Sequence, residues 1–261
     1  MPQNNQESQG KQTTFKSENI SLKEGKPQKI NASERIKVII PAYNEEESIA
    51  KVISEIPEIV QEVIVVSNNS TDATEANASK AGATVLKERR KGYGYACLKG
   101  MDYISTLENK PDIIVFLDGD YSDFPVELTK IIAPIIEENK DMVIGSRVKR
   151  WREKGSMTFP QIFGNWLATS LMKLFFNARF TDLGPFRAIK YHRLLELDME
   201  DKTYGWTVEM QLKALKKGFS YTEVPVHYKN RIGTSKVSGT VKGAIFAGVK
   251  ILFWIFKYSF K

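Results

Sequence analysis

The sequence predicts an α/β fold in which a mostly parallel sheet carries helices on both faces. Short β-branched runs alternate with amphipathic helical stretches from residue 36 to about residue 147. The run Asp112–Leu117 is almost continuously apolar, as expected of a central parallel strand that is buried on both faces. With 261 residues, of which 42% are hydrophobic and 26% charged, the chain can bury one substantial core. This composition excludes a wholly disordered, collagen-like or polytopic membrane protein.

Each element of the first half has a local signal. We expect Asn44 to cap a helix that has three Glu residues in its first turn, Ser70 or Thr71 to open the next helix, and Pro125 to begin a later one. The predicted strands are Ile36–Pro41, Glu62–Val66, Ala83–Lys87, Asp112–Leu117 and Met142–Gly145. Strands that alternate with helices in this way indicate a parallel sheet.

The alternation stops after Arg147. A basic loop over 147–154 is followed by predicted helices at Ile162–Phe176, Thr207–Lys217 and Gly239–Phe260, with extended segments at Asp182–Ile189 and Phe219–Val226. The first 35 residues are polar and lack an apolar core segment, so we expect a disordered tail without a secretory signal. The predicted organisation is therefore a tail over 1–35, a globular domain over 36–238 and an amphipathic helix over 239–261.

Cysteine and histidine contents limit the chemistry. One Cys and two His cannot form an intramolecular disulfide or a structural zinc site. Cys97 lies in the run Tyr-Ala-Cys-Leu-Lys, and we interpret it as a packed core thiol rather than a nucleophile.

The net charge of +7 belongs to the C-terminal end. Residues 229–261 carry seven basic and no acidic residues, which leaves the first 228 residues formally neutral. Lys242, Lys250 and Lys257 are spaced to share one helix face, opposite Ile, Phe and Trp, which predicts a helix lying in a membrane interface. Lys250 keeps the uncharged run too short to span a membrane. Ile162–Phe176 is a candidate for a second such helix, with ordinary core packing as the alternative.

The motif Asp118-Gly119-Asp120 directly follows the apolar central strand. Ligands of open parallel sheets bind beyond the carboxyl ends of the strands. Two carboxylates one residue apart can share Mg²⁺ or a similar hard cation together with phosphate oxygens. The motif therefore favours a metal–diphosphate site over a solvated Asp-Gly turn.

Other polar segments follow neighbouring strands. Tyr43, in Pro41-Ala42-Tyr43-Asn44-Glu45, can pack on a nucleobase, and Asn68 follows the second strand. Arg89-Arg90-Lys91-Gly92-Tyr93-Gly94 places cations and glycines before a helix, which favours an anion.

Together these segments resemble glycosyltransferase family 2 with the GT-A fold, from about Ile36 to Ser238. The resemblance implies that Asp118 and Asp120 bind a metal and a nucleotide-sugar. It implies a nucleotide-sugar site made of Pro41, Tyr43, Asn44, Glu45, Asn68, Lys91, Gly92, Asp118 and Gly119. The chain departs from the family at Ser67-Asn68, where an acidic pair is usual.

The second half resembles the dolichyl-phosphate mannose synthase-like group. The segments concerned are Asp182-Leu-Gly184-Pro-Phe-Arg187, Glu209-Met-Gln211, and Glu223-Val-Pro225 followed by Arg231-Ile-Gly233-Thr-Ser235-Lys236. The resemblance implies phosphate contacts from Arg231 and Lys236, and we add Arg147 and Arg187 as phosphate-binding candidates. The catalytic candidates are Asp120, Asp182 and Glu209.

The predicted function is inverting transfer of a sugar from a UDP- or GDP-sugar to a polyprenyl or dolichyl phosphate, with Mg²⁺ or Mn²⁺. A phosphate acceptor, with a second pKa of about 6, needs little general-base help. A soluble or glycolipid hydroxyl is the alternative acceptor, and it would require Asp182 or Glu209 as base. We expect peripheral contact with the cytosolic membrane face and no nucleic acid. A non-catalytic basic module that binds membranes or nucleic acid is the alternative of another class.

Overall fold

A seven-stranded mixed sheet organises the structure, a computed structural model that describes residues 33–233 and 241–259. The strands are β1 (Ile36–Ala42), β2 (Val60–Ser67), β3 (Thr84–Lys87), β4 (Ile113–Phe116), β5 (Met142–Ser146), β6 (Arg187–Lys190) and β7 (Tyr221–Pro225). Their spatial order is β3-β2-β1-β4-β6-β5-β7. Neighbouring strands are parallel except that β6 runs antiparallel to both β4 and β5. The predicted mostly parallel sheet is confirmed, whereas the sequence did not predict the antiparallel direction of β6.

Helices cover both faces of this sheet, as predicted. They are α1 (Ile49–Ser54), α2 (Thr74–Lys80), α3 (Tyr93–Thr106), α4 (Leu128–Glu137), α5 (Phe159–Phe176), α6 (Tyr191–Leu197), α7 (Trp206–Lys216) and α8 (Val241–Ser259). Short 3₁₀ turns span Pro125–Glu127 and Lys149–Trp151. None of these helices combines the length and apolar character needed to cross a membrane.

Alternation along the strands divides the core into two clusters. Ile39 of β1 points into a cluster shared with α3, α5, α6, α7 and α8, whereas its neighbours Val38 and Ile40 point into a cluster shared with α1, α2 and α4. Cys97 is fully buried in the first cluster, which confirms that it is a core thiol.

Helix α8 packs on the domain through the side that carries two of its lysines. Trp254 and Ile255 are buried, Lys250 Nζ lies 3.2 Å from Asp201, and Lys257 Nζ lies 3.1 Å from Glu200. The sequence-based assignment of Trp254 to an outward apolar face is therefore wrong. The spacing of the lysines defines a face, but acidic residues of the domain draw that face inward.

The outward side of α8 is apolar and continues onto α5. Exposed apolar residues of this surface include Phe159, Phe163, Trp166, Leu174 and Phe175 of α5, with Phe246, Val249, Phe253 and Phe256 of α8. The rings of Phe175 and Phe256 are 6.0 Å apart. We call these nine residues the α5–α8 face. The described residues include neither the tail over 1–32 nor residues 234–240, so the predicted domain limits stay predictions.

Candidate active site

A cavity of about 990 Å³ opens at the carboxyl ends of β1, β2, β4 and β5. This volume is at the upper end of the roughly 300–1,000 Å³ typical of small-molecule sites. The predicted residues that line it are Pro41, Tyr43, Glu45, Asn68, Lys91, Gly92, Asp118, Gly119, Asp120, Arg147 and Arg231. The structure thus brings most of the predicted site together, because ends of parallel strands meet at one edge of a sheet.

Asp118 and Asp120 occupy the turn after β4 with different surroundings. Asp118 is half-buried and accepts a hydrogen bond of 3.1 Å from the Tyr93 hydroxyl. Burial and the neighbouring charge of Asp120 raise the pKa of Asp118 to about 6. The buried Asp120 accepts hydrogen bonds from the Ser122 amide and hydroxyl, at 2.9 and 2.6 Å.

These two carboxylates fit a hard divalent cation. Both offer oxygen ligands, and the raised pKa of Asp118 reflects negative charge that a cation would compensate. Within residues 33–233 and the described part of α8, no three His, Cys, Asp or Glu side chains form a metal-binding group. A cation here would therefore take its remaining ligands from water and a bound diphosphate.

Arg231 is held against this turn by the segment that follows β7. Its guanidinium forms an ion pair with the Asp120 carboxylate, and the Ile232 amide donates to the Asp120 carbonyl at 3.0 Å. The Lys229 amide also donates to the Ser122 carbonyl at 2.9 Å. The predicted basic segment is thus tied to the acidic turn, although Lys236 lies outside the described residues.

Asp182 serves as the partner of Arg147. Its carboxylate accepts from the Arg147 amide, Nε and Nη2 at 2.7, 2.9 and 2.6 Å. Burial alone would raise the pKa of Asp182, but the charge and hydrogen bonds of Arg147 lower it. Arg147 lines the cavity and Asp182 does not. We therefore assign Asp182 to the positioning of Arg147 rather than to proton transfer.

Glu209 does not reach the cavity, contrary to its predicted catalytic role. The side chain is fully buried, accepts from the amides of Glu200 and Asp201 at 2.8 and 2.7 Å, and pairs with Lys213 at 2.8 Å. These partners occupy the carboxylate inside the domain. Glu209 stabilises the turn before α7 instead of contacting an acceptor.

Arg187 is also a structural residue, contrary to its predicted phosphate contact. It is fully buried in β6, and its guanidinium donates to the carbonyls of Gly184 and Thr207. Burial lowers the pKa of Arg187 to about 10. Because β6 is a central strand that is buried on both faces, the side chain of Arg187 does not reach the cavity.

The side-chain amides of Asn68 and Asn44, both predicted to bind the nucleotide, instead form hydrogen bonds between loops. Asn68 Nδ2 donates to the Arg90 carbonyl at 2.7 Å, and its Oδ1 accepts from the Gly92 amide at 2.8 Å. Asn44, which does not line the cavity, accepts from the Thr71 amide at 2.8 Å. Asn68 lines the cavity, but its amide group is used to hold the turn that carries Lys91 and Gly92.

Several cavity residues were missed by the sequence analysis. Tyr93 follows Gly92 and orients Asp118, while the ring of Tyr228 lies 5.1 Å from the Arg147 guanidinium. Neither has a motif that predicts the direction of its side chain. Thr203, Tyr204, Trp206 and Thr207 line another part of the wall.

The segment before α7 connects this wall to α8. A Cβ atom on Gly92 or Gly94 would lie 2.1 or 2.0 Å from the backbone oxygen of Lys202 or Asp201, so the two segments touch backbone to backbone. Asp201 accepts from Trp254 Nε1 at 2.7 Å and from the Gly205 amide at 3.0 Å. Helix α8 is therefore linked to the turn that borders the acidic pair.

Comparison with known proteins identifies a family model and relatives that match most of the chain. A family model described as "Glycosyl transferase family 2" matches residues 37–194. An uncharacterized glycosyltransferase of Mycobacterium tuberculosis is 32% identical over 83% of this chain and 95% of its own length. Polyprenol monophosphomannose synthase of Mycolicibacterium smegmatis is 26% identical over 84% of this chain and 88% of its own length.

A solved structure of glucosyl-3-phosphoglycerate synthase from Mycobacterium tuberculosis has a similar fold. It contains Mn²⁺, UDP and glucosyl-3-phosphoglycerate, and superposes with a TM-score of 0.68 at 20% identity, covering 87% of this chain and 80% of that one. Another structure of that enzyme contains Mg²⁺ and UDP, with a TM-score of 0.67, 20% identity and coverage of 87% and 79%. At this identity the likeness establishes the fold.

Proposed function

This chain belongs to glycosyltransferase family 2 and has the GT-A fold, and on that basis we propose that it transfers a sugar from a nucleoside-diphosphate donor to a polyprenyl phosphate. The observation that carries the proposal is the composition of the cavity wall. Asp118, Asp120, Arg147 and Arg231 line one part, and apolar residues of α5 and α8 line another part of the same cavity. An acceptor with an anionic head and an apolar chain matches both parts.

The donor side of the proposal rests on the strand ends. Tyr43 offers a ring face, with Lys91 Nζ 5.6 Å from its centroid, for a base and its adjoining phosphates. Asp118 and Asp120 would hold Mg²⁺ or Mn²⁺, which supplies Lewis-acid stabilisation of the diphosphate leaving group. Arg231 contributes positive charge beside Asp120, and we propose that Lys236 acts with it.

The acceptor side favours a phosphate over a hydroxyl. In the transfer, an acceptor oxygen forms a bond to the anomeric carbon while the bond from that carbon to the diphosphate breaks on the opposite side. A hydroxyl would have to lose a proton to a base, but both predicted bases are engaged elsewhere, Asp182 with Arg147 and Glu209 with Lys213. A phosphate monoester is already ionised near neutrality, and Arg147 and Arg231 offer it charge-assisted hydrogen bonds.

The α5–α8 face supports peripheral contact with a membrane. Five of its residues are on α5 and four on α8, and Phe159 and Phe246 are 78% and 63% exposed. Large exposed apolar surfaces on soluble domains mark interaction sites, and aromatic residues on interfacial helices insert into the headgroup region. We propose that this face holds the cavity at the cytosolic leaflet, where lipid-linked phosphates are found.

The test measures transfer of labelled sugar into the organic phase. The protein is incubated with UDP- and GDP-sugars, Mg²⁺ or Mn²⁺, and either polyprenyl phosphate or the matching polyprenol. We expect product only with the phosphate and only with added metal. Product with polyprenol instead would favour the hydroxyl acceptor, and transfer that persists in a chelator would contradict the metal assignment.

A further inference from the structure

We propose that a slot between α5 and α8 holds the isoprenoid chain of the acceptor, and that Gly164 and Gly248 determine its capacity. This inference rests on the proposed function. It goes further by naming the residues that would discriminate among lipid phosphates, a role that no sequence motif of this chain indicated.

The slot is continuous with the polar part of the cavity. Phe163, Leu167 and Ala168 of α5, with Ala247, Ile251 and Leu252 of α8, line the same cavity as Asp120 and Arg231. None of the residues that α5 and α8 contribute to this lining carries a charge. Its polar Asn165 already bonds the backbone of Thr181 and Leu183, at 3.0 and 2.8 Å.

The two glycines lie inside helices that do not require them. Among the residues that the structure describes, a Cβ atom built on Gly164 or Gly248 meets no atom within 4 Å. By contrast, a Cβ on Gly205 would lie 2.4 Å from the Trp254 ring, so close packing explains that glycine. Glycine in a helix interior is destabilising relative to alanine. The described residues give neither glycine a packing role, so we attribute both to the space that their missing side chains leave.

An extended apolar chain with a phosphate at one end fits this space better than other occupants. The arginines at the polar end suit a phosphate, and the wall beyond them offers apolar contact with no free charge to pair. The outer end of the slot reaches Phe163 and Val249, which are 48% and 60% exposed and belong to the α5–α8 face. A chain leaving the slot there would continue into the surface that we propose contacts lipid.

The experiment fills the slot and compares acceptors of different length. We expect G164L and G248L to lower kcat/KM for a long polyprenyl phosphate about tenfold or more, since a hydrophobic pocket discriminates by such factors for small volume changes. The value for a short, water-soluble prenyl phosphate should change much less. G164A and G248A serve as conservative variants, and K173L places the same leucine on α5 outside the cavity wall.

A binding readout separates this inference from the transfer reaction. A photoreactive long-chain prenyl phosphate should label α5 and α8 peptides of the wild type and of K173L, and should label G248L weakly. Equal losses of kcat/KM on short and long acceptors, or unchanged labelling of both G164L and G248L, would overturn the slot. If the wild type used no prenyl phosphate of any length, the proposed function itself would fail.

Discussion

The strand-end wall and the helical wall of the cavity are built by different means. At the strand ends, directional bonds fix charged groups, as the bonds from Ser122 fix Asp120 and the bonds to Asp182 fix Arg147. On α5 and α8, the wall is uncharged and mostly apolar, and side-chain packing contributes most of its form. The bond-forming groups need fixed geometry, whereas an apolar chain needs only volume and exclusion of water. Single substitutions in the strand-end wall should therefore cause large losses of activity. Substitutions in the helical wall should change activity in proportion to the volume that they add or remove.

The largest expected effect is at the acidic turn. D120N removes a charge beside the proposed metal and weakens the hold on Arg231, so we expect sugar transfer to fall by about 10²–10³-fold. The measurement is initial rate against metal concentration, with nucleotide binding followed by calorimetry. D102N, on the exposed surface of α3, is the matched control. Transfer by D120N at the wild-type rate would contradict the metal assignment.

Two arginines give a second test, because one lines the cavity and the other does not. R231Q should lower transfer by roughly 10–100-fold with little change in stability, as a hydrogen bond to a charged group contributes about 1.5–3 kcal/mol. R187M should lower the free energy of unfolding by about 3 kcal/mol, since buried carbonyls lose their donors.

Thermal unfolding and steady-state kinetics, measured on both arginine variants, decide the matter. The two should show opposite patterns, one kinetic and one thermodynamic. Similar patterns for both variants would mean that the division between cavity-lining and structural arginines is wrong.

The next effect concerns the α5–α8 face. Replacing Phe246 and Phe253 together by Ser should weaken binding to vesicles at least tenfold, since full burial of one Phe contributes about 1.5–3 kcal/mol and rings at an interface are buried only in part. K257Q should change binding little, because its amine pairs with Glu200 at 3.1 Å. Vesicle co-sedimentation at several salt concentrations measures both. A larger loss of vesicle binding for K257Q than for the double variant would mean that electrostatic attraction contributes most to this binding.

The smallest effect is expected where α8 meets the segment before α7. W254F keeps an aromatic side chain but replaces the indole with a smaller phenyl ring and removes the hydrogen bond to Asp201, which costs about 1.5–3 kcal/mol for a charged acceptor. We expect a lower melting temperature and nucleotide binding weakened severalfold, because Asp201 holds the segment that touches Gly92. Calorimetric titration with UDP and GDP measures the second effect. A lower melting temperature with unchanged nucleotide binding would mean that Trp254 contributes only to the packing of α8.

Much of the first half of the fold could be predicted because its signals are local. Runs of β-branched residues predict the five strands, and the rule that ligands bind at strand ends places Asp118 and Asp120. The predicted helix caps are wrong, because α1 begins only at Ile49 and α2 only at Thr74, and neither has a side-chain cap. Arg187 was assigned wrongly because a basic residue in a motif suggests a ligand contact, and only the central position of β6 shows that it is buried.

Partners distant in sequence explain the other errors. The side of α8 that faces inward depends on Glu200 and Asp201, which no helical spacing can predict. Glu209 was likewise placed correctly on a helix, but its direction is set by Lys213 and the amides of the preceding turn. Periodicity defines a face of a helix, and tertiary contacts decide where that face points.

The position of β5 has a consequence for the order of events during synthesis. Its hydrogen-bond partners are β6 and β7, and neither strand has been synthesised when Ser146 leaves the ribosome. Strands β1 to β4 can pair earlier, because their partners precede or immediately follow them in translation. A nascent chain that ends before Arg187 therefore presents the apolar run Met142–Ser146 with both edges open. We expect chaperones to bind the emerging chain at this segment, and to leave it once Pro225 has been added.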